Sequence, residues 1–136
     1  MKVVIDTNII LMALPKRSAY RIIFDTLDKG EITMAFNSEI LYEYEEQIGI
    51  RTTSEFTTNF ISYLLRKNNT EFFTSFFSWN YIHNDPDDNK FVDCAIAANA
   101  DYLVTNDAHF NVLKKIGFPK VEVISAKEFI ALLQNT

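Results

Sequence analysis

The sequence predicts an α/β fold: a three-layer α/β/α sandwich around a central, mostly parallel sheet. Three observations carry that expectation. Val3-Val4-Ile5 is a continuous apolar run, the pattern of a strand buried on both faces. Further strand-like runs alternate with stretches of helical period, and such alternation implies right-handed crossovers between parallel strands. Hydrophobic residues make up 48% of the 136 positions, with only three Gly and three Pro, a composition for compact, element-rich folding. A chain of this length fits one domain, residues 1–136.

Each element has a local reason. Val3 to Ile5 is the first strand, and Tyr20, Ile23, Phe24 and Leu27 recur at helical spacing before Lys29-Gly30. Ile32 to Phe36 is a second strand. Ser38 is then a candidate N-cap for a helix that turns Ile40, Leu41, Tyr44 and Ile48 inward and ends at Gly49. Thr52 and Glu55 have capping-box spacing ahead of Phe56, Phe60, Ile61, Leu64 and Leu65, which predicts a third helix to about Arg66. The Phe-rich run from Glu71 to Tyr81 has no clear period and reads as a short helix followed by an extended segment. Asp85-Pro86-Asp87-Asp88 is a turn and helix start, since Pro fixes φ and Asp favours the positive helix end. That helix runs to about Asn99. Tyr102 to Val104 and Val121 to Ile124 are the third and fourth strands, and Ser125 with Glu128 forms a capping box opening the last helix.

The net charge of −5 argues against broad electrostatic binding to DNA, which needs a clustered basic surface. It is compatible with an enzyme acting on nucleic acid, because divalent cations bound among carboxylates invert the local field. The single cysteine, Cys94, rules out an intrachain disulfide or a multi-thiolate zinc site and reads as a small core residue. The apolar run before Asp6 is three residues long, and no window approaches the length that spans a bilayer, so the expectation is a cytoplasmic protein without membrane association.

Four acidic positions stand out. Asp6 follows the first strand, Glu43 lies inside the second helix, Asp88 starts a later helix, and Asp107 follows the third strand. Ligands in open parallel sheets bind at the strands' carboxyl ends, where Asp6 and Asp107 fall. Carboxylates crowded into one cleft repel one another, so such a cluster is stable at neutral pH mainly with cations in it. Hard oxygen donors favour Mg²⁺ or Mn²⁺ over zinc, and the two histidines, His83 and His109, show no paired ligand spacing. Such a site can activate water and hold a phosphodiester for in-line attack.

The segments that carry these residues resemble a known family, the PIN-domain ribonucleases. The likeness lies in Val4-Ile5-Asp6-Thr7-Asn8, Ser38-Glu39-Ile40-Leu41-Tyr42-Glu43, Asp85-Pro86-Asp87-Asp88-Asn89-Lys90, and Ala100-Asp101-Tyr102-Leu103-Val104-Thr105-Asn106-Asp107, in the family's order. It is nearest to the branch that supplies the VapC-like toxins of toxin–antitoxin systems. The resemblance implies a metal-dependent endoribonuclease preferring single strands, with Asp6, Glu43, Asp88 and Asp107 as metal ligands or water-activating groups. It makes Thr7, Asn8, Asn89 and Thr105 their hydrogen-bonding support. It also implies an RNA substrate, a small antitoxin partner and a homodimer. Asp93 lies five residues beyond Asp88, about 140° around a helix, so it ranks with Asp85 below Asp88 as a supporting group. Many members of that family carry Gly or Arg where this chain has Asn106.

Plainer readings and rivals stand beside these. Asp6 alone could be a turn residue, Asp88 and Asp107 helix caps, and Glu43 one of a charged face with Glu39, Glu45 and Glu46. His109 reads as a surface imidazole. The cluster of Phe72, Phe73, Phe76, Phe77, Trp79 and Tyr81 reads as a subunit interface before a platform for bases. Lys16, Arg17 and Arg21 are weak candidates for gripping an RNA backbone, and Lys114, Lys115 and Lys120 weaker ones. Asp6 as the covalent nucleophile of a phosphatase or phosphotransferase is one rival, against which Asn8 stands where a second Asp would be expected. A non-catalytic module binding RNA or protein is the other.

Overall fold

A computed structural model describes residues 1–74 and 77–135. Five strands, β1 (Lys2–Ile5), β2 (Thr33–Phe36), β3 (Thr70–Phe72), β4 (Tyr102–Val104) and β5 (Val123–Ile124), form one sheet in the order β3-β2-β1-β4-β5. Every pairing is parallel, with Val3 opposite both Met34 and Tyr102. Among the described residues six α-helices pack around it: α1 (Thr7–Ala13), α2 (Ile22–Asp28), α3 (Ser38–Arg51), α4 (Ser54–Arg66), α5 (Asn89–Ala97) and α6 (Ala126–Gln134). Steps from β1 to β3 move one way across the sheet and steps from β3 to β5 move back. Right-handed crossovers therefore put helices on both faces, giving the three-layer α/β/α sandwich.

The sheet is the floor of the core. Val3, Val4 and Ile5 are fully buried, as are Leu103 and Val104. Tyr44 from α3 is buried too, and its hydroxyl donates to the carbonyl of Ile5 at the carboxyl end of β1. Among the described residues no helix is long and apolar enough to cross a membrane.

Four local expectations change. The helix α1 follows β1 directly, where the sequence reading has no element: Thr7, Ile9, Ile10 and Ala13 are buried, but the apolar run of β1 continues into them and hides their period. Asn37 caps α3 instead of Ser38, its Oδ1 accepting from the Ile40 amide at 2.9 Å, and α3 passes through Gly49 to Arg51. The next cap is Thr53, whose Oγ1 accepts from the Phe56 amide at 3.0 Å, while Thr52 ends α3; the capping-box reading sits one residue early. The start of the Phe-rich run is strand β3 where a short helix is expected, because sheet pairing with Met34, Ala35 and Phe36 overrides the weak local preference. Ser75 and Phe76 of that run lie outside the described residues. The capping box of Ser125 and Glu128 forms as expected.

Candidate active site

The strand order places the switch point of the sheet at β1, because connections leave it toward β2 on one side and β4 stands on the other. A crevice opens outside the carboxyl ends at such a point. Asp6 and Thr105 are the first residues beyond β1 and β4, and they meet there: Thr105 Oγ1 donates to Asp6 Oδ2 at 2.7 Å. The same hydroxyl accepts from the Asp107 amide at 3.0 Å, which sets the turn that carries Asp107. Asp6 occupies the N-cap position of α1, where its carboxylate makes no cap hydrogen bond of good geometry and its Oδ2 accepts from Thr105 instead. Burial raises its pKa, and the negative charges of Glu43 and Asp107 add to that, while Thr105 and the Asn8 amide act the other way.

Glu43 enters from α3. Glu39, Glu45 and Glu46 on the same helix are exposed, whereas Glu43 is partly buried and both its oxygens are held. Thr7 Oγ1 donates to Oε2, and Lys90 Nζ lies 2.8 Å from Oε1. Asn37 Nδ2 donates to the Lys90 carbonyl at 3.3 Å, so the starts of α3 and α5 are tied together.

Asp88 comes from a 3₁₀ turn, Pro86–Asp88, that leads into α5. Asn89 holds this loop in shape: its Oδ1 accepts from the Ile82 amide at 2.9 Å, and its Nδ2 donates to the carbonyls of Ile82 and Pro86. Asp88 Oδ2 is buried and has no hydrogen-bond partner. His109 Nδ1 stands 3.5 Å from it, within ion-pair range and beyond a good hydrogen bond, and 3.4 Å from Asp107 Oδ1. Burial first, then the charges of Asp85, Asp107 and Asp6, push the Asp88 carboxyl up to about 6. Asp107 caps the 3₁₀ helix Ala108–Lys115, Oδ1 accepting from the His109 amide at 2.9 Å.

A family model described as PIN domain matches residues 2–109. The chain belongs to the PIN-domain family. Among solved structures, that of VapBC2 from Rickettsia felis bound to a DNA fragment from their promoter is similar in fold to this PIN domain. The identity is 21% and the TM-score 0.63, over 92% of this chain and 98% of that one. No curated protein matches the chain significantly.

The PIN fold thus brings Asp6 within electrostatic reach of Glu43 and Asp107, and Asp88 within reach of Asp85, Asp107 and Asp6, with Thr7 bonded to Glu43 and Thr105 to Asp6. Asn8 is exposed at the start of α1, and Asn89 supports the loop instead of facing the carboxylates. Asp93 points elsewhere: its Oδ1 accepts from the Trp79 amide at 3.1 Å, beside Phe72, Phe73 and Phe77. Lys16 and Arg21 line a groove with Phe24, Phe56, Phe60 and Tyr63, where Arg21 Nη1 donates to the Leu14 carbonyl, and Arg17 is exposed. Phe72, Phe77 and Trp79 are exposed, and Phe77, Trp79 and Tyr81 form a chain of ring contacts.

Three residues join the site that sequence reasoning ranked low or passed over. Asp85, Asp88 and His109 each offer a ligand atom, all within 4.8 Å of one another. Lys90 is the third. The sequence signal for His109 is its distance of two from Asp107; Lys90 ends the Asp85–Lys90 segment of the resemblance but is given no role there, because its partner Glu43 is 47 positions away. Asn106 also has a structural role, its Oδ1 accepting from the Ala126 amide at 2.9 Å where α6 begins.

Proposed function

We propose that this PIN domain is a metal-dependent endoribonuclease, the VapC-like toxin of a toxin–antitoxin pair, acting on single-stranded RNA in the cytoplasm. The observation that carries this reading is Asp88 Oδ2, a buried carboxylate oxygen without a donor, facing Asp6 and Asp107 at the sheet's switch point. Removing such an oxygen from water is costly unless a positive charge meets it. The donor set of carboxylates fits a hard divalent ion, Mg²⁺ or Mn²⁺. Asp6, Glu43, Asp88 and Asp107 would hold it, and Asp88 also lies with Asp85 and His109 in a group whose ligand atoms are within 4.8 Å of one another. Bound there, the ion would neutralise phosphate charge and lower the pKa of a nearby water.

The chain's own groups do the rest. Thr105 fixes the rotamer of Asp6, and Asn89 fixes the loop that presents Asp88, so the acids need little rearrangement. The likeness in fold to VapBC2, solved bound to a DNA fragment from their promoter, supports a small antitoxin as partner. A homodimer of the toxin is the accompanying expectation.

The test is cleavage of a single-stranded RNA panel by purified protein with EDTA, Mg²⁺ or Mn²⁺, alongside Asp6→Asn and Asp88→Asn, with Mn²⁺ binding measured calorimetrically. Metal-dependent cleavage lost in both variants supports the reading. Cleavage that persists in EDTA, or a folded wild-type protein that neither binds Mn²⁺ nor cuts RNA, ends it. A phosphorylated Asp6 trapped with a phosphoester substrate would favour an Asp-nucleophile phosphatase instead.

A further inference from the structure

A groove of about 300 Å³ opens to solvent between α2 and α4. Its floor is aromatic. Phe56, Phe60 and Tyr63 stand at i, i+4 and i+7 of α4 and so share one face of that helix. The Phe60 ring centroid lies 6.5 Å from that of Phe56 and 5.9 Å from that of Tyr63, and Phe24 of α2 closes the row with an edge contact to Phe60 at 5.7 Å. Phe56 keeps 43% of its surface in water, so the row ends in an apolar side chain with no layer over it.

The two ends of the groove differ in charge. Asp28, the carboxylate at one end, is answered within the chain: Lys67 Nζ lies 2.9 Å from its Oδ1, and the Tyr63 hydroxyl donates to the same oxygen. Lys16 and Arg21 stand at the other end. Among the described residues neither has a carboxylate in ion-pair range. Arg21 gives one donor to the Leu14 carbonyl and rests its guanidinium 5.4 Å from the Phe24 ring centroid, which leaves most of its five donors for another group. A chain of net charge −5 thus keeps an unmatched positive end on this groove.

No strand residue lines the groove, so it offers no backbone ladder to an extended segment. A helix, whose backbone groups are satisfied internally, is the element that fits. From Phe56 to Tyr63 the floor runs about 10 Å, two turns of a partner helix. Base stacking needs exposed ring faces, and Phe24 and Phe60, at 3% and 8% exposure, show none; the floor therefore suits aliphatic side chains over nucleobases. We propose that this groove docks an amphipathic helix of a partner protein, its apolar side chains at i, i+4 and i+7 covering Phe56, Phe60 and Tyr63 and an acidic residue one turn beyond paired with Lys16 and Arg21. The proposal stands apart from the chemistry of the acidic cleft.

The experiment pans a displayed library of peptides about 16 residues long on the immobilised full chain. Retained peptides are then synthesised and their affinity read by fluorescence anisotropy on the wild type, Phe56→Ser, Lys16→Glu and Leu65→Ser, the last an exposed position of α4 outside the groove. The expected peptides carry the i, i+4, i+7 apolar spacing with Asp or Glu one turn beyond. They should lose at least about tenfold on Phe56→Ser, about three- to tenfold on Lys16→Glu, and nothing on Leu65→Ser, and the charge-reversed peptide should recover binding to Lys16→Glu. If Phe56→Ser does not fold, that charge reversal decides. No retained peptide, peptides that bind a folded Phe56→Ser as tightly as wild type, or basic residues in place of the acidic one overturn the proposal. So do the two other occupants: a short oligouridine that binds the wild type and is lost on Lys16→Glu, or self-association in sedimentation velocity that Phe56→Ser abolishes. Mn²⁺ binding and RNA cleavage are measured separately, so a failure here leaves the reading of the cleft untouched.

Discussion

Thr105 and Asp6, 99 residues apart, are joined by a 2.7 Å hydrogen bond that links the ends of β1 and β4. Both are buried, at 4% and 6% exposure, so the bond is made away from water. Thr105→Val preserves shape and removes a hydroxyl that serves both Asp6 and the Asp107 amide. The expected loss is about 1–3 kcal/mol in urea unfolding, with Thr105→Ser close to wild type. Equal stability of Val and Ser variants would show the bond to be dispensable.

The pH dependence of the metal-free protein follows from Asp88. Its folded pKa of about 6 lies above the usual aspartate value of 3.8, so between these values the folded state binds the proton that the unfolded state releases. Stability should fall as pH rises from about 4 to 6 and level off above, and Asp6, also raised, acts in the same direction. Asp88→Asn should flatten this slope and raise the melting temperature at pH 7 in EDTA. A steeper slope in that variant would contradict the assignment.

Tyr44 tests the link between α3 and the sheet. Its hydroxyl donates to the Ile5 carbonyl from full burial, one residue along α3 from Glu43. Tyr44→Phe should cost about 1–3 kcal/mol by leaving that carbonyl unpartnered, and amide exchange should quicken in β1 and the first turns of α3.

Asn89 bears on the loop before α5. Asn89→Leu strips partners from the Ile82 amide and from the carbonyls of Ile82 and Pro86. We expect a loss of more than about 2 kcal/mol and weaker Mn²⁺ binding through displacement of Asp88. Unaltered Mn²⁺ affinity in a destabilised variant would separate loop stability from the site.

By itself the sequence determined the elements whose cause is local. Val3-Val4-Ile5 reads as a buried strand because its side chains are apolar on both faces, and Ser125 with Glu128 caps α6 because both partners lie within one turn. It also marked Asp6 and Asp107 as carboxylates after strands and Asp88 as one at a helix start, while Glu43, inside a helix with three other glutamates, stood out only through its segment's resemblance. Tertiary structure alone decided the rest. β3 is a strand because β2 offers it a free edge, and α1 is a helix within an apolar run that has no visible period. Asp88, and not Asp93, faces Asp6 because the Asn89-locked loop turns it inward while Asp93 pairs with the Trp79 amide. Glu43 meets Lys90 only once α3 and α5 are docked. Such pairings depend on strand order and on desolvation at a shared crevice, and neither leaves a mark in the spacing of residues along the chain.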